Sequence, residues 1–372
     1  MESKGSPLKY LFYFVHPSKF YLFRNSINHL KSKGHKVEIL ISSKDVLEEL
    51  VISEGWEYTN LFPSGRKGKK LPAILYTGFY FFITIARLWK YARNKKYDLF
   101  VTDDLLVYVG RFRKIPSIVF LDDDISVVKP FSLILSQATH ILAPDITDLG
   151  KFTYKKISFP GYKELAYLHP NNFQPNHKVV QKINPDNEKY FVVRLVNLVA
   201  YHDMGKKGIS NDQIRRLLEI LNKHGRIYIT SERELPNDLE KYRLSINPRE
   251  ISHVLYYAEM FIGDSQTMCS EAALLGTPTF RCNDFKGKIN VMDDKDKYGL
   301  MSSYRSDEFE LMIDQIEEVL LEENLKESYK AKKDKMLIDK IDVGKFMKWL
   351  LHNYPESVNE INKKNFSFRK FK

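Results

Sequence analysis

Short apolar runs recur along the chain, each followed by a polar turn and then by a stretch with helical spacing. In the first half the runs are Lys9–Val15, Val37–Ser42, a strand around Trp56–Leu61, Tyr97–Thr102, Ser117–Leu121 and Thr139–Pro144, the last strand expected there. Amphipathic helices are expected at Phe20–Lys33, closed by Gly34, and at Lys44–Glu54. Strand, turn, helix, glycine, strand is the order of a right-handed βαβ unit, so this half reads as Rossmann-like. A polar, turn-rich stretch, His169–Lys189, interrupts the pattern. It then starts afresh with strands at Tyr190–Asn197, Arg226–Thr230, Met260–Gly263 and Thr279–Arg281. Helices are expected between them at Asp212–His224, Pro248–Tyr257 and Met268–Leu275, followed by Phe309–Leu321 and Leu337–Tyr354.

Two successive Rossmann-like halves imply an α/β protein with two domains facing a central cleft. The expected division is 8–167 for the first domain, 168–189 for a linker, 190–345 for the second domain, and 346–372 for a C-terminal helix and basic tail. A length of 372 residues suits two domains.

The most apolar stretch, Leu71–Trp89, follows the basic loop Ser64–Lys70. A bilayer-spanning helix needs about 20 apolar residues. This stretch contains Pro72, Gly78, two threonines and Arg87, and it lies inside a Rossmann-like domain. The better expectation is a helix beside the sheet with one face open to an anionic membrane surface.

Charge narrows the partners. A formal net charge of +11 suggests an anionic partner, such as a nucleotide or an anionic lipid surface. Zinc spacings, RNP-type strands and helix-turn-helix patterns are lacking, so nucleic acid is not expected. The two cysteines, Cys269 and Cys282, sit among apolar neighbours and read as buried free thiols. With an N-terminus that lacks the apolar core of a signal peptide, they suggest a cytoplasmic protein, peripheral at the inner face of the membrane.

The stretch richest in chemistry is Gly263-Asp264-Ser265-Gln266-Thr267-Met268, with Glu271-Ala272-Ala273 behind it. A strand feeding a helix through a small polar loop aims backbone N–H groups and the positive end of the helix dipole at one spot, which suits a phosphate. Glu271, one turn further on, could accept hydrogen bonds from ribose hydroxyls. The plainer reading is an ordinary strand–turn–helix with a polar N-cap.

These residues resemble the donor-binding segment of GT-B-type enzymes, among them the UDP-N-acetylglucosamine 2-epimerases and the lipid II-forming transferase. More closely they resemble a family of predicted glycosyltransferases whose domain is of unknown function, with Lys189–Leu300 carrying most of the match. The resemblance implies a GT-B-like fold and assigns Ser265, Gln266 and Thr267 to the nucleotide diphosphate and Glu271 to the ribose. The relatives have glycines where this chain has Gln266 and Thr267. Their His-Arg-Arg segment, which touches the diphosphate, corresponds by position to Arg194 and His202. Ser231 and Glu232 lie in a loop that commonly borders the nucleotide in such folds.

Catalytic candidates follow strand ends. His16 stands where the epimerases carry an Arg-Pro-Glu run, while Asp103 and Asp122 or Asp123 could replace two of their three carboxylates. The third should lie in Lys129-Pro130-Phe131-Ser132, which has no acid. An inverting transferase needs a single base, and His16, Asp103 or Asp123 could supply it. The same aspartates also read as helix caps. Asp122-Asp123-Asp124 is the one run that could hold Mg²⁺, but GT-B-type enzymes generally balance the diphosphate with protein cations, so no metal or other cofactor is expected.

The leading expectation is a glycosyltransferase that takes a nucleotide-sugar donor, UDP-linked in the relatives, and transfers the sugar to an envelope glycan or lipid-linked acceptor in polysaccharide biosynthesis. A nucleotide-sugar 2-epimerase and a non-catalytic nucleotide- or carbohydrate-binding protein are the alternatives.

Overall fold

The computed structural model describes residues 6–42, 46–63, 73–197 and 208–372. The chain divides into two compact units. One comprises the described residues up to Tyr167 together with Ile341–Lys372, and the other is Leu168–Lys340.

The first unit runs β1 (Lys9–Phe14), α1 (Pro17–Ser32), β2 (Lys36–Ile41), α2 (Leu47–Ser53), β3 (Thr59–Asn60), α3 (Ala73–Ala92), β4 (Leu99–Thr102), α4 (Leu106–Arg113), β5 (Ser117–Phe120), α5 (Ser132–Gln137), β6 (His140–Pro144) and β7 (Lys156–Phe159). Its sheet has the order β3-β2-β1-β4-β5-β6-β7, parallel throughout. From β1 the chain winds one way through β2 and β3, then returns to the other side of β1 for β4. Strand β1 is nearly all buried aromatic and leucine, as a central strand covered on both faces must be. β7 extends this half beyond Thr139–Pro144. Its residues alternate buried and half-exposed, the pattern of an edge strand, and Lys156 and Ser158 hide it from a search for apolar runs.

After α6 (Leu165–Leu168) the chain continues through α7 (His177–Gln181), β8 (Tyr190–Leu195), α8 (Asn211–Leu221), β9 (Arg226–Ser231), α9 (Asn237–Glu240), α10 (Ile251–Tyr257), β10 (Met260–Gly263), α11 (Gln266–Leu275), β11 (Thr279–Cys282), α12 (Asn290–Lys297), β12 (Met301–Tyr304), α13 (Phe309–Val319) and α14 (Leu325–Asp339). The five strands lie in the order β12-β11-β10-β8-β9, again all parallel. One face of this sheet packs Phe191, Val193, Ile262, Phe280 and Cys282 against Ile214, Leu217 and Leu218 of α8 and Met312 and Ile316 of α13. Residues 168–189, expected as a linker, group with this unit. There Phe173 stacks on His253, and Asn176 N donates to His253 Nδ1 at 3.2 Å.

The single helix expected over Leu337–Tyr354 is two helices. Asp342 caps α15 (Val343–His352) by accepting Lys345 N at 2.9 Å, which turns the chain at Lys340–Asp342. Ile341 N donates to Pro160 O and Tyr10 Oη to Leu351 O, so α15 and α16 (Glu356–Ile361) complete the first unit. The basic C-terminal end is anchored as well. Phe371 is buried against Phe346 and Trp349, and its carbonyl accepts Asp342 N at 2.8 Å.

Helix α3 is held beside the sheet by one carboxylate. Glu38 of β2 accepts from Tyr91 in the last turn of α3 and from Lys95 and Tyr97 after it, and pairs with Lys9 at 2.6 Å. Burial works to raise its pKa, and these four donors overcome it and hold it at about 2. Arg87 donates to Leu61 O and lies over the Phe62 ring, so its charge is used within the fold. Among the described residues no helix is long and apolar enough to cross a membrane.

A chain of imidazoles joins α1, β2 and α15. Leu8 N donates to His35 Nδ1, so the ring proton is on Nε2, which donates to His352 Nδ1 at 2.8 Å. The His29 ring meets His352 edge-on at 5.6 Å. Burial and the neighbouring His352 lower the pKa of both His29 and His35 from 6.5. The stability these neutral rings supply is therefore full above pH 6.5 and is lost as pH falls toward their lower folded values. Melting temperature should drop between about pH 7 and about pH 5. His352→Gln keeps an acceptor for His35 and removes the ring that depresses its neighbours, so its drop should be shallower.

Candidate functional site

In an open parallel sheet, ligands bind beyond the carboxyl ends of the strands where the strand order reverses, because the crossovers there leave in opposite directions. The second sheet reverses between β8 and β10, and the first between β1 and β4.

At the β8/β10 point, Gly263 pairs with Arg194, and a Cβ at residue 263 would lie 2.7 Å from Arg194 O. Only glycine allows that approach. The chain turns through Asp264 and Ser265 into α11. Ser265 is the N-cap, its Oγ accepting Met268 N at 3.3 Å, so Gln266 and Thr267 form the first helical turn. The helix thus begins two residues before the expected Met268, since Ser265 rather than Thr267 takes the capping position. The N–H groups of Gln266 and Thr267 are first-turn donors with no intrahelical acceptor. Gly276 closes the helix as expected. Glu271 lies in its second turn and is only 6% exposed.

Arg194, at the end of β8, donates to Thr230 Oγ1 at 3.2 Å and pairs with Glu232, while its buried Nε has no partner among the described residues. Ser231 closes a local turn, its Oγ donating to Arg233 O and accepting Arg233 N. Ser231, Glu232, Arg194, Ser265, Gln266 and Thr267 thus share the carboxyl edge of one sheet. His202 lies outside the described residues, as does most of the lysine-bearing loop around it.

Asp264, absent from the sequence-based candidates, organises this edge. Its two oxygens accept Val196 N at 2.8 Å and Ile209 N at 3.2 Å, and its carbonyl accepts Asn283 Nδ2 at 2.8 Å. A Cβ on Gly208 would lie 2.3 Å from Asp264 Oδ2, so the chain approaches this carboxylate closely. Burial pushes the Asp264 carboxyl up to about 6, against the downward pull of the two N–H groups and Arg233. Arg233 donates to Ile209 O at 2.6 Å.

Arg281 was also missed. Its side chain is fully buried, Nε donates to Ser303 Oγ at 3.0 Å, and that hydroxyl donates to Asp296 at 3.1 Å. Burial lowers the Arg281 pKa and raises Asp296 to about 6. Cys269 and Cys282 are free and buried as expected, and burial pushes Cys282 up to about 12, far from a reactive thiolate.

In the first unit, His16 follows β1 and Asp103 follows β4, on either side of the reversal. His16 is exposed and serves as N-cap of α1, its Nδ1 accepting Ser18 N at 3.2 Å. Asp103 and Asp123 are half-buried. The acidic run after β5 divides its work. Asp122 is buried and pairs with Lys163 at 2.7 Å and Lys19 at 3.9 Å, and Asp124 accepts Asp148 N at 2.6 Å. Burial works against the Lys163 ammonium, yet Asp122, Glu164 and Asp123 raise its pKa above the ordinary value. Lys19 and Lys163 thus place two cations at this edge. Lys163 follows the unexpected strand β7, so no local signal marked it. Among the described residues no group of three His, Cys, Asp or Glu could hold a metal ion.

Solved structures similar to this chain include UDP-GlcNAc 2-epimerase from Neisseria meningitidis bound to UDP-GlcNAc, at 13% identity, covering 95% of this chain and 100% of that one, with a TM-score of 0.64. UDP-GlcNAc 2-epimerase from Methanocaldococcus jannaschii, in complex with UDP-GlcNAc and UDP, has 14% identity, coverage of 89% and 99%, and a TM-score of 0.62. A spinosyn forosaminyltransferase has 13% identity, coverage of 96% and 100%, and a TM-score of 0.56. Together with the two parallel sheets, these define the class as a GT-B-type fold of two Rossmann-like domains. No curated protein matches the chain. The chain belongs to the family described as "Protein of unknown function (DUF354)", whose model matches residues 19–343.

Asp264 has a testable titration. With a folded pKa near 6 against an ordinary 3.8, the folded chain holds this proton more tightly, so its contribution to stability falls as pH rises from 3.8 to about 6 and is level beyond. In Asp264→Asn that dependence should vanish, and the stability advantage of the wild type should shrink across the window, as read by denaturant melts. Asn also turns an amide donor toward one of the two N–H groups, costing about 1–3 kcal/mol.

Proposed function

We propose that this protein is an enzyme that binds a nucleotide sugar at the carboxyl edge of the second unit's sheet and transfers the sugar to a glycan or lipid-linked acceptor. The observation that carries the reading is the strand–turn–helix β10–Ser265–α11 standing at the strand-order reversal, in a fold shared with structures that hold UDP-GlcNAc. In this reading the N–H groups of Gln266 and Thr267 and the α11 dipole receive the diphosphate. Arg194 releases Glu232 to neutralise charge on the leaving group. Glu271 accepts from the ribose hydroxyls.

In transfer, an acceptor oxygen forms a bond to the anomeric carbon while the bond to the diphosphate oxygen breaks. The hydroxyl proton passes to one base, and the nucleoside diphosphate departs with the bonding pair. His16, Asp103 and Asp123 are the proposed bases. Asp122 and Asp124 are set aside because their carboxylates hold Lys163 and the Asp148 N–H.

A second reading, a nucleotide-sugar 2-epimerase, draws support from the epimerases that share this fold over most of the chain, as the forosaminyltransferase also does. Against it, Lys129–Phe131 and Ser132 supply no third acid. Incubation with UDP-sugars separates the two. Free nucleotide appearing only with acceptor supports transfer, an isomerised intact donor supports epimerisation, and binding without turnover indicates a non-catalytic binding protein.

Glu271→Ala should weaken UDP by about 1.5–3 kcal/mol, roughly tenfold or more, and leave pyrophosphate affinity nearly unchanged in calorimetric titration. Equal UDP affinity in both proteins would remove Glu271 from the site. If Asp103 or Asp123 is the base, its change to Asn should abolish turnover with UDP affinity retained; a loss of about 1 kcal/mol of stability with activity intact would mark it as a cap instead.

A further inference from the structure

One face of the first unit is apolar where a solvent-facing surface is ordinarily polar. Along α3, Phe79, Phe82, Ala86 and Trp89 recur at three- and four-residue intervals, with Arg93 next in the series just past its end, and all are exposed. Phe79 is 52%, Phe82 72% and Trp89 41% exposed. The Trp89 ring meets Phe112 of α4 edge-on at 6.4 Å, and Phe112 is itself 72% exposed. Tyr108 of α4 packs on Phe81 and donates to Leu133 O of α5, whose side chain is 59% exposed. Three helices therefore present one contiguous set of large apolar side chains, beyond the scattered exposure usual for single residues.

The charged side chains carried by these three helices are all of one sign. Lys90 of α3, Arg93 just after it, Arg111 of α4 and Lys129 before α5 are exposed. The sequence has no acidic residue between Glu57 and Asp98, between Asp104 and Asp122, or between Asp124 and Asp145. Other nearby cations are held by structural partners: Arg113 donates to Ala92 O and Lys95 O, Lys95 pairs with Glu38, and Lys155 donates to the last carbonyls of α5.

We infer that this face docks on an anionic lipid bilayer. The aromatic and leucine side chains would enter the boundary between headgroups and acyl chains, while Lys90, Arg93, Arg111 and Lys129 meet lipid phosphates. A second copy of the chain is a poor occupant, because a two-fold contact through this face sets cation against cation with no carboxylate to pair. The inference stands independently of the nucleotide-sugar reading.

Vesicle sedimentation with the full chain tests it, using phosphatidylcholine alone and phosphatidylcholine mixed with phosphatidylglycerol. Binding is expected to the anionic vesicles only and to weaken as salt rises. Phe82→Ser/Phe112→Ser, and separately Lys90→Glu/Arg93→Glu, should each lower the partition coefficient about tenfold or more while melting temperature stays unchanged. Bromine-labelled acyl chains should quench a tryptophan emission that Trp89→Phe removes, since Trp56 is only 6% exposed and Trp349 is half-buried against Phe346, Phe371 and Lys370, both outside this face. Three results would overturn the inference: no binding at low salt, equal binding by wild type and the Phe82→Ser/Phe112→Ser variant, or a wild-type dimer in sedimentation velocity that this variant dissolves.

Discussion

The pairing of β10 with β8 rests on the missing side chain of residue 263. Any Cβ there would press on the Arg194 carbonyl at 2.7 Å, and β10 could not lie in register beside β8. That register makes β8 and β10 the two strands between which the chain reverses its direction of travel across the sheet. It also places the Asp264 carboxylate within reach of both Val196 N and Ile209 N, and sets Ser265 where it can cap α11. The loop, the helix N-terminus and the nearby arginines at this edge all follow from one close backbone contact.

Electrostatics then sorts the polar residues into two kinds. Some are engaged inside the fold: Glu38 by four donors, Asp122 by Lys163, Asp124 by a backbone N–H. Others are perturbed by burial. Asp264 and Asp296 are both raised to about 6 by burial, and Arg281 is held in the dry interior with a single described hydrogen bond from Nε. Perturbed groups concentrated near a strand-order reversal support the proposed site more firmly than either observation alone.

The first unit repeats the logic with different chemistry. Its reversal between β1 and β4 is flanked by an exposed imidazole and a half-buried carboxylate, with Lys19 and Lys163 close to the acidic run beyond β5. Its packing is completed from far along the chain, since α15 packs on α1, where His352 meets His29, and also reaches Tyr10 of β1 and His35. The open face of α3, α4 and α5 is the counterpart of that packing. Glu38 and the ring of Phe62 hold the helix by its inner side, so Phe82 and Trp89 are left on the outer one.

What the residues determine by themselves is local. A buried parallel strand is written as a continuous apolar run, and a helix as a spacing closed by glycine. On that basis the two Rossmann-like halves and the β10–α11 turn, with Ser265, Gln266 and Thr267 in it, were legible without coordinates. Strand order was not, because neighbours in a parallel sheet are set by crossovers and by packing of distant residues. The half-polar edge strands β7 and β12 carry too weak an alternation to stand out. Competition between Ser265 and Thr267 for the cap was decided only when the turn closed. Asp264, Arg281 and Lys163 escaped notice for the same physical reason. A buried charge acquires its role from partners far away in the chain, and only the tertiary structure brings Ile209, Ser303 and Asp122 to meet them.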